Sequence, residues 1–173
     1  NTLKPRKYGG VLSWLAADGL DEEQTDGIGA TEAIDQLERL SLEDNNFFLA
    51  VGFFRPHTPF VAPKRYFDWY EQDSIQIPDL SEKSLQGIPT QAARSLRTKQ
   101  NAALVDAKTA REIKEAYYST ISFVDAQVGR VLDKLEATGL IENTIVVFIS
   151  DHGYHLGEHG HWQKQTLFEN ATR

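Results

Sequence analysis

The spacing of apolar residues along the chain predicts two amphipathic helices. Between residues 108 and 138, apolar side chains recur every three to four positions, and Gly139 follows as a C-cap. A shorter helix is expected to follow an N-cap at Thr31 and to reach Leu40, because the apolar residues between these positions share one helical face. The predicted core stripe of the long helix comprises Ile113, Tyr117, Ile121, Val124, Val128, Val131 and Leu135.

Two unbroken apolar and β-branched runs, at residues 47–54 and 144–149, predict strands buried on both faces. Pro56 and Pro59 follow the first run and disfavour further strand or helix. The order helix, strand, long loop, helix, strand favours a right-handed parallel crossover and therefore an α/β fold. Between these elements we expect a loop with one helical turn over residues 1–26, a short aromatic helix over residues 63–70, and a long surface loop over residues 74–100.

Residues suited to chemistry follow both apolar runs. His57 comes after the first, and four of the five histidines come after the second, together with Asp151 and Lys164. Ligands of open α/β sheets bind beyond the carboxyl ends of the strands, so we expect the two loops to converge on one metal and anion site. From the residues alone, Asp151 also suits a turn cap, His57 suits packing against an aromatic neighbour, and Lys164 suits simple exposure to solvent.

Composition narrows the classes of function. The chain of 173 residues has a net charge of −7 and no basic tract, which argues against a nucleic-acid partner. No apolar run has the length of a membrane span, so we expect no membrane partner. The absence of cysteine excludes disulfides, thiolate ligands and a cysteine nucleophile within this sequence. Both ends interrupt their local patterns, and we therefore expect a fragment of a longer protein.

Three segments carry a resemblance to a known family. They are FFLAVGFFRPHTPF at residues 47–60, YYSTISFVDAQVGR at residues 117–130, and SDHGYHLGEHGHWQK at residues 150–164. With these motifs in register, the chain resembles the sulfatases of the alkaline phosphatase superfamily, most closely the iduronate 2-sulfatase-like and choline-sulfatase-like branch. The resemblance implies that residues 1–173 are part of a sulfatase catalytic domain, without its N-terminal nucleophile region and its C-terminal region. The implied architecture is a three-layer α/β sandwich with a mainly parallel sheet.

The resemblance also implies site residues and cofactors. Asp151 and His152 match two ligands of a divalent cation, usually calcium, with manganese or magnesium as alternatives because imidazole is an unusual calcium ligand. Lys164 matches the lysine that binds a sulfate oxygen, and His57 matches the histidine that protonates the leaving alcohol. The nucleophile of the family is a formylglycine made from Cys or Ser in a Cys/Ser-x-Pro-x-Arg motif. No residue of this chain fits that motif, so the missing N-terminal region is expected to supply the formylglycine.

Other residues of the same segment have less defined expected roles. Glu158 and His159 are interpreted as braces that hydrogen-bond around the site. His161 is a candidate substrate contact, and both His155 and His161 are expected either to contact substrate or to face water.

The expected function is hydrolysis of a small-molecule or saccharide sulfate ester by the parent protein, with the fragment alone inactive. A phosphatase, phosphodiesterase or phosphonate hydrolase of the same superfamily is the alternative. A non-catalytic zinc module is a more distant one, built from His152, His155, His159 and His161. The resemblance suggests a secreted, periplasmic or lysosomal location, and the oligomeric state is unknown from the sequence.

Overall fold

The computed structural model describes residues 12–79, 82–97 and 105–172. The strands are β1 (Trp14–Ala17) and β2 (Phe60–Pro63), and the α-helices are α1 (Thr25–Leu40), α2 (Lys64–Phe67), α3 (Thr90–Arg97), α4 (Ala107–Ala137) and α5 (Glu169–Thr172). Short 3-10 helices occupy Asp21–Glu23, Gln72–Ser74, Glu82–Leu85, Leu140–Asn143 and Glu158–Gly160. The chain divides into a first unit, Asn1–Tyr70 with Ala116–Val147, and a second unit, Glu71–Glu115 with Phe148–Arg173.

The first unit contains a parallel pair of strands. Strand β1 lies beside β2 with Trp14 opposite Phe60, so the predicted α/β class with parallel pairing is confirmed. Phe60 is fully buried, and its ring meets Tyr117 of helix α4 edge-on at 5.6 Å between centroids. Behind the strands, Tyr66 of α2 makes a similar contact with Phe123 of α4 at 5.6 Å. These aromatic contacts pack α2 and α4 against the strand pair.

A buried carboxylate joins three elements of the first unit. Asp21 is 4% exposed, and its Oδ2 accepts hydrogen bonds from Tyr66 Oη at 2.5 Å and Gln127 Nε2 at 2.7 Å. Arg65 Nη2 also donates to this oxygen at 2.5 Å and supplies the opposing charge. A buried charge is tolerated only when it is paired and hydrogen-bonded, so this cluster fixes the relative positions of the 3-10 helix Asp21–Glu23, α2 and α4.

The long helix is confirmed, although its predicted core stripe is partly wrong. Helix α4 covers Ala107–Ala137, and Gly139 follows in the left-handed conformation at φ 72°. Ile121, placed in the predicted stripe, is 40% exposed, whereas Phe123 and Gln127 are buried. The buried face is rotated from the predicted one because Phe123 of α4 packs against Tyr66 and Gln127 of α4 bonds to Asp21. Apolar spacing in the sequence does not identify this face, because Gln127 is polar.

The two predicted buried strands are not observed. Residues 47–54 and 144–149 have no regular secondary structure, and Phe48 and Ile145 are 94% and 91% exposed. A strand exists only when a neighbouring strand completes its hydrogen bonds, and within the described ranges neither run has such a neighbour. Strand β2 instead begins at Phe60, directly after the prolines that were expected to exclude a strand.

Other boundaries also differ from the expectations. Helix α1 begins at Thr25, so Thr31 lies inside it, and the Thr31 hydroxyl donates to the carbonyl of Gly27 at 3.0 Å instead of capping the helix. Of the loop expected over residues 1–26, residues 12–26 contain strand β1 as well as a helical turn, and residues 1–11 lie outside the described ranges. The short aromatic helix is confirmed as α2. The expected surface loop over residues 74–100 contains helix α3, and residues 80, 81 and 98–100 of that loop lie outside the described ranges.

The second unit combines a middle segment of the chain, Glu71–Glu115, with its last segment, Phe148–Arg173. Its buried side chains include Ile75, Leu96, Ile113 and Trp162. The ammonium of Lys114 donates to the carbonyl of Gln76 at 2.7 Å.

Among the residues that the structure describes, no helix combines the length and apolar character needed to cross a membrane.

Gly27 is expected to be required for folding because helix α1 passes very close to the Asp21 backbone. A Cβ atom at Gly27 would lie 1.8 Å from the carbonyl oxygen of Asp21, whereas one at Gly29 would meet nothing within 4 Å. We expect Gly27→Ala to lower the free energy of unfolding by about 2 kcal/mol or more through overpacking. Gly29→Ala, the matched control in the same helix, should raise it by about 0.5–1 kcal/mol. Urea unfolding measures both, and equal effects of the two substitutions would contradict the close packing at Gly27.

Candidate functional site

The predicted metal ligands lie side by side in the second unit. Asp151 is 85% exposed at its side chain, and its Oδ2 lies 3.5 Å from Nε2 of His152. His152 Nδ1 lies 2.8 Å from the carbonyl oxygen of Gly153. Because a carbonyl only accepts, Nδ1 donates in this contact, and Nε2 is the ring nitrogen on the side of the carboxylate. Both groups therefore fit a shared divalent cation as two of its ligands.

Residues 155–164 form a tight loop that folds back on itself, called the hairpin-like loop. The amide of His155 donates to the carbonyl of Gln163 at 2.8 Å, and that of Gly157 donates to the carbonyl of His161 at 2.9 Å. At the tip, Gly157, His159 and Gly160 adopt positive φ values of 103°, 58° and 70°. Glycine reaches this conformation without steric cost, which explains the Gly-rich sequence of the tip.

His155 and His161 face each other inside this loop. Both side chains are fully buried, and their rings meet edge-on at 5.0 Å, so the expectation that they face water is wrong. His155 Nε2 lies 2.8 Å from the hydroxyl of Thr166, and His161 Nε2 lies 3.3 Å from the carbonyl oxygen of Lys164. Burial, reinforced by the neighbouring His161, lowers the pKa of His155 to about 4, so this imidazole is neutral near pH 7.

Glu158 and His159 hold the loop from within the second unit. Glu158 Oε2 accepts the amide of Leu156 at 2.6 Å. His159 Nδ1 lies 3.2 Å from the carbonyl oxygen of Ser84, and its ring lies 5.0 Å from that of Phe168. Both contacts are with the protein itself. Their expected role in supporting the metal site through such hydrogen bonds stays a prediction.

The histidines of the loop engage separate protein partners instead of meeting at one point. Within the described ranges, no three His, Cys, Asp or Glu side chains come together as a set that could hold a metal ion. A zinc centre built from His152, His155, His159 and His161 would need ring nitrogens of these imidazoles to converge on one ion, and the described residues contain no such set. The geometry therefore gives the zinc-module alternative no support.

His57 belongs to the first unit and lies in a braced loop. The residues Thr25, Phe54, Arg55, His57 and Thr58 line a cleft of about 250 Å³. His57 is exposed, and its Nδ1 lies 2.7 Å from the carbonyl oxygen of Thr58, so Nε2 is the ring nitrogen that this contact does not engage. The Arg55 guanidinium donates to the carbonyls of His57 and Pro59 at 2.8 and 2.9 Å, and the peptide bonds preceding both prolines are cis.

A buried carboxylate that the sequence interpretation missed holds the start of this loop. Asp26 of helix α1 is 2% exposed, and its two oxygens accept the amides of Phe54 and Arg55 at 2.8 and 2.9 Å. Burial lowers the pKa of Arg55, an effect that Asp26 partly offsets. No local sequence motif predicts the role of Asp26, because its partners lie 28 and 29 residues away along the chain. Thr166 was not predicted either, because its hydroxyl meets His155 only once the hairpin-like loop has folded.

The structure brings some of the predicted site residues together. Asp151 and His152 are adjacent, and Lys164 follows the buried His161 in the same loop. The Lys164 side chain is half-buried, and none of the ion pairs between described residues involves it. His57 lies in the other unit, so its convergence with these residues stays a prediction.

Comparison with solved structures defines the class of fold. The chain superimposes on the phosphonate monoester hydrolase of Agrobacterium radiobacter with a TM-score of 0.75 and 24% sequence identity, covering 91% of this chain and 33% of that one. This likeness shows that the chain shares the fold of that hydrolase, and the α/β fold class implied by the sequence is confirmed.

The sequence determines the family within that class. Residues 4–173 match the sulfatase family, and the chain belongs to it. It is 35% identical to iduronate 2-sulfatase of Mus musculus over 157 residues, which cover 82% of this chain and 28% of that protein. It is 30% identical to choline-sulfatase of Rhizobium meliloti over 172 residues, which cover 95% of this chain and 33% of that protein. The chain thus spans about a third or less of these relatives, and the predicted family and branch are confirmed.

The buried His155 should make stability depend on pH. The unfolded chain protonates this imidazole below about pH 6.5, whereas the folded chain does so only near pH 4. The free energy of unfolding should therefore fall as the pH drops through this window, by up to about 3 kcal/mol from this residue. Urea unfolding between about pH 7.5 and pH 4.5 should show a shallower decline for His155→Gln than for the wild type. Parallel curves for the two proteins would contradict a neutral, buried His155.

Proposed function

We propose that the protein containing this chain is a sulfuric ester hydrolase that acts on a sulfated small molecule or saccharide. The observation that carries the proposal is the adjacent Asp151 and His152, followed by Lys164 in the same loop, within a chain of the sulfatase family. A sulfated sugar is the favoured substrate, since iduronate 2-sulfatase is among the relatives. Sulfatases generally use a divalent metal and a formylglycine, which supply charge neutralisation and the nucleophile.

Asp151 and His152 would hold the cation. The exposed carboxylate brings the negative charge and the hard oxygen that calcium, magnesium or manganese prefer. The hydrogen bond from His152 Nδ1 to the Gly153 carbonyl fixes the ring so that Nε2 is the nitrogen offered to the ion. Calcium is the favoured cation by the family resemblance. Its preference for six to eight oxygen ligands means that most ligands must come from elsewhere in the protein.

Lys164 and His57 would act on the two ends of the ester. The compact ammonium of Lys164 would neutralise charge on the sulfate oxygens as the bond to the leaving alcohol breaks. His57 would donate a proton from Nε2 to the oxygen of that alcohol, while its Nδ1 remains bonded to the Thr58 carbonyl. The Asp26 and Arg55 contacts would keep the His57 loop in place during this transfer. The formylglycine would come from a part of the protein outside this chain.

Hydrolysis of phosphonate monoesters is the second candidate function. The fold match to a phosphonate monoester hydrolase favours it, and a cation with an adjacent lysine suits phosphoryl as well as sulfuryl oxygens. The two candidates separate when the full-length protein is tested with 4-nitrophenyl sulfate and with 4-nitrophenyl phenylphosphonate. A sulfatase should have the higher kcat/KM on the sulfate, and the reverse order would overturn the proposal.

Removal of the Lys164 ammonium should slow the reaction without unfolding the protein. In the full-length protein, Lys164→Ala should lower kcat on an aryl sulfate about a hundredfold or more, by analogy with the loss of one preorganised donor. Lys108→Ala removes the same charge from an exposed position in the first turn of helix α4 and is the matched control, expected to be near normal. Near-normal turnover by Lys164→Ala would remove this lysine from the sulfate site.

The role of His57 can be tested with leaving groups of different quality. A poor alcohol leaving group needs protonation in the transition state, whereas an activated phenol needs little. His57→Ala should therefore lower kcat/KM for an alkyl sulfate at least about tenfold more than for 4-nitrophenyl sulfate. The ratio of the two losses within one variant corrects for any general damage to the site. Equal losses on both substrates would rule out proton donation by His57.

A further inference from the structure

The two buried imidazoles of the hairpin-like loop hold the backbone on either side of Gln165. His161 Nε2 lies 3.3 Å from the carbonyl oxygen of Lys164, directly before Gln165. His155 Nε2 lies 2.8 Å from the hydroxyl of Thr166, directly after it. The residue that carries the proposed sulfate-binding ammonium is therefore part of a backbone segment clamped at both ends.

This segment has a conformation that needs external support. Gln165 has a φ of 70°, in the left-handed region that residues with a Cβ rarely occupy. A single residue in this region persists where its surroundings over-determine it. The contacts of Lys164 and Thr166 with the two imidazoles supply such support, and the Thr166 hydroxyl also lies 3.4 Å from the amide of Phe168.

The imidazoles are themselves rigidly placed. Both are fully buried and meet edge-on at 5.0 Å. The amide of His155 is bonded to the Gln163 carbonyl, and the carbonyl of His161 accepts the amide of Gly157. Neither ring can change its position without breaking this packing. The contacts of the two rings with Lys164 and Thr166 therefore fix the backbone position of Lys164 relative to the hairpin-like loop.

We propose that His155 and His161 are positioning residues that set the location of the Lys164 ammonium by clamping the backbone from Lys164 to Thr166. The proposal rests on the proposed role of Lys164 in binding the sulfate group. The lowered pKa of His155, caused mainly by burial, agrees with this arrangement, because a neutral imidazole can hold the Thr166 hydroxyl inside the protein.

Thr166 offers a sharp test, because one substitution removes its hydroxyl and another retains it. In the full-length protein, Thr166→Val should lower kcat on 4-nitrophenyl sulfate and weaken inhibition by inorganic sulfate, each by about tenfold or more. Thr166→Ser keeps the hydroxyl and should restore both values to within about twofold of the wild type. Equal defects in the two variants would mean that the bond to His155 is irrelevant, and would overturn the proposal.

A double-mutant cycle distinguishes positioning of Lys164 from a general structural effect. If the clamp acts through the ammonium, Thr166→Val and His161→Leu should each have little further effect on kcat or sulfate inhibition in a Lys164→Ala background. The same fold-loss in both backgrounds would overturn the proposal. His155→Phe, which keeps a ring but lacks Nε2, replaces Thr166→Val in the cycle if the valine variant does not fold. Normal kinetics of Lys164→Ala alone would instead refute the proposed role of Lys164 itself.

Discussion

The first unit depends on the buried carboxylate of Asp21. One of its oxygens accepts hydrogen bonds from Arg65, Tyr66 and Gln127, while the other has no hydrogen-bond partner within the described part of the chain. Such a group costs free energy unless its donors stay in place, so three segments distant in sequence are held to one arrangement. The requirement that Gly27 has no side chain follows from the same arrangement, since helix α1 passes against the Asp21 carbonyl.

In each unit, contacts from buried side chains support one loop that carries proposed site residues. In the first unit, Asp26 at the start of helix α1 bonds the amides of Phe54 and Arg55, and Arg55 in turn bonds the carbonyl of His57. In the second unit, paired buried imidazoles hold the backbone on either side of Gln165. In both arrangements, polar residues lie on loops and buried side chains hold those loops in place. Proteins commonly position binding and catalytic residues in this way.

Local sequence patterns predicted some features of this chain and failed at others for physical reasons. Helix α4 and its end at Gly139 were predictable, because helical periodicity and a left-handed glycine are local signals. The runs at residues 47–54 and 144–149 were predicted as buried strands, but strand formation depends on partners that apolar composition cannot identify. The Asp151 and His152 pair is proposed as a metal site from a motif, and its role stays a prediction. The supports of the site were not predictable, because Asp26 and Thr166 act on groups that only the fold brings near.

Binding of a divalent cation by Asp151 and His152 can be tested with a crystal structure of the full-length protein grown with Mn²⁺, which is located by its anomalous scattering. If the proposed metal site is correct, an anomalous peak lies at about 2.0–2.6 Å from both the Asp151 carboxylate and His152 Nε2. The same position should lose its peak in Asp151→Asn crystals grown with the same Mn²⁺ concentration. A strong peak elsewhere in the protein, with no ion at the Asp151 and His152 side chains, would rule out the proposed metal site.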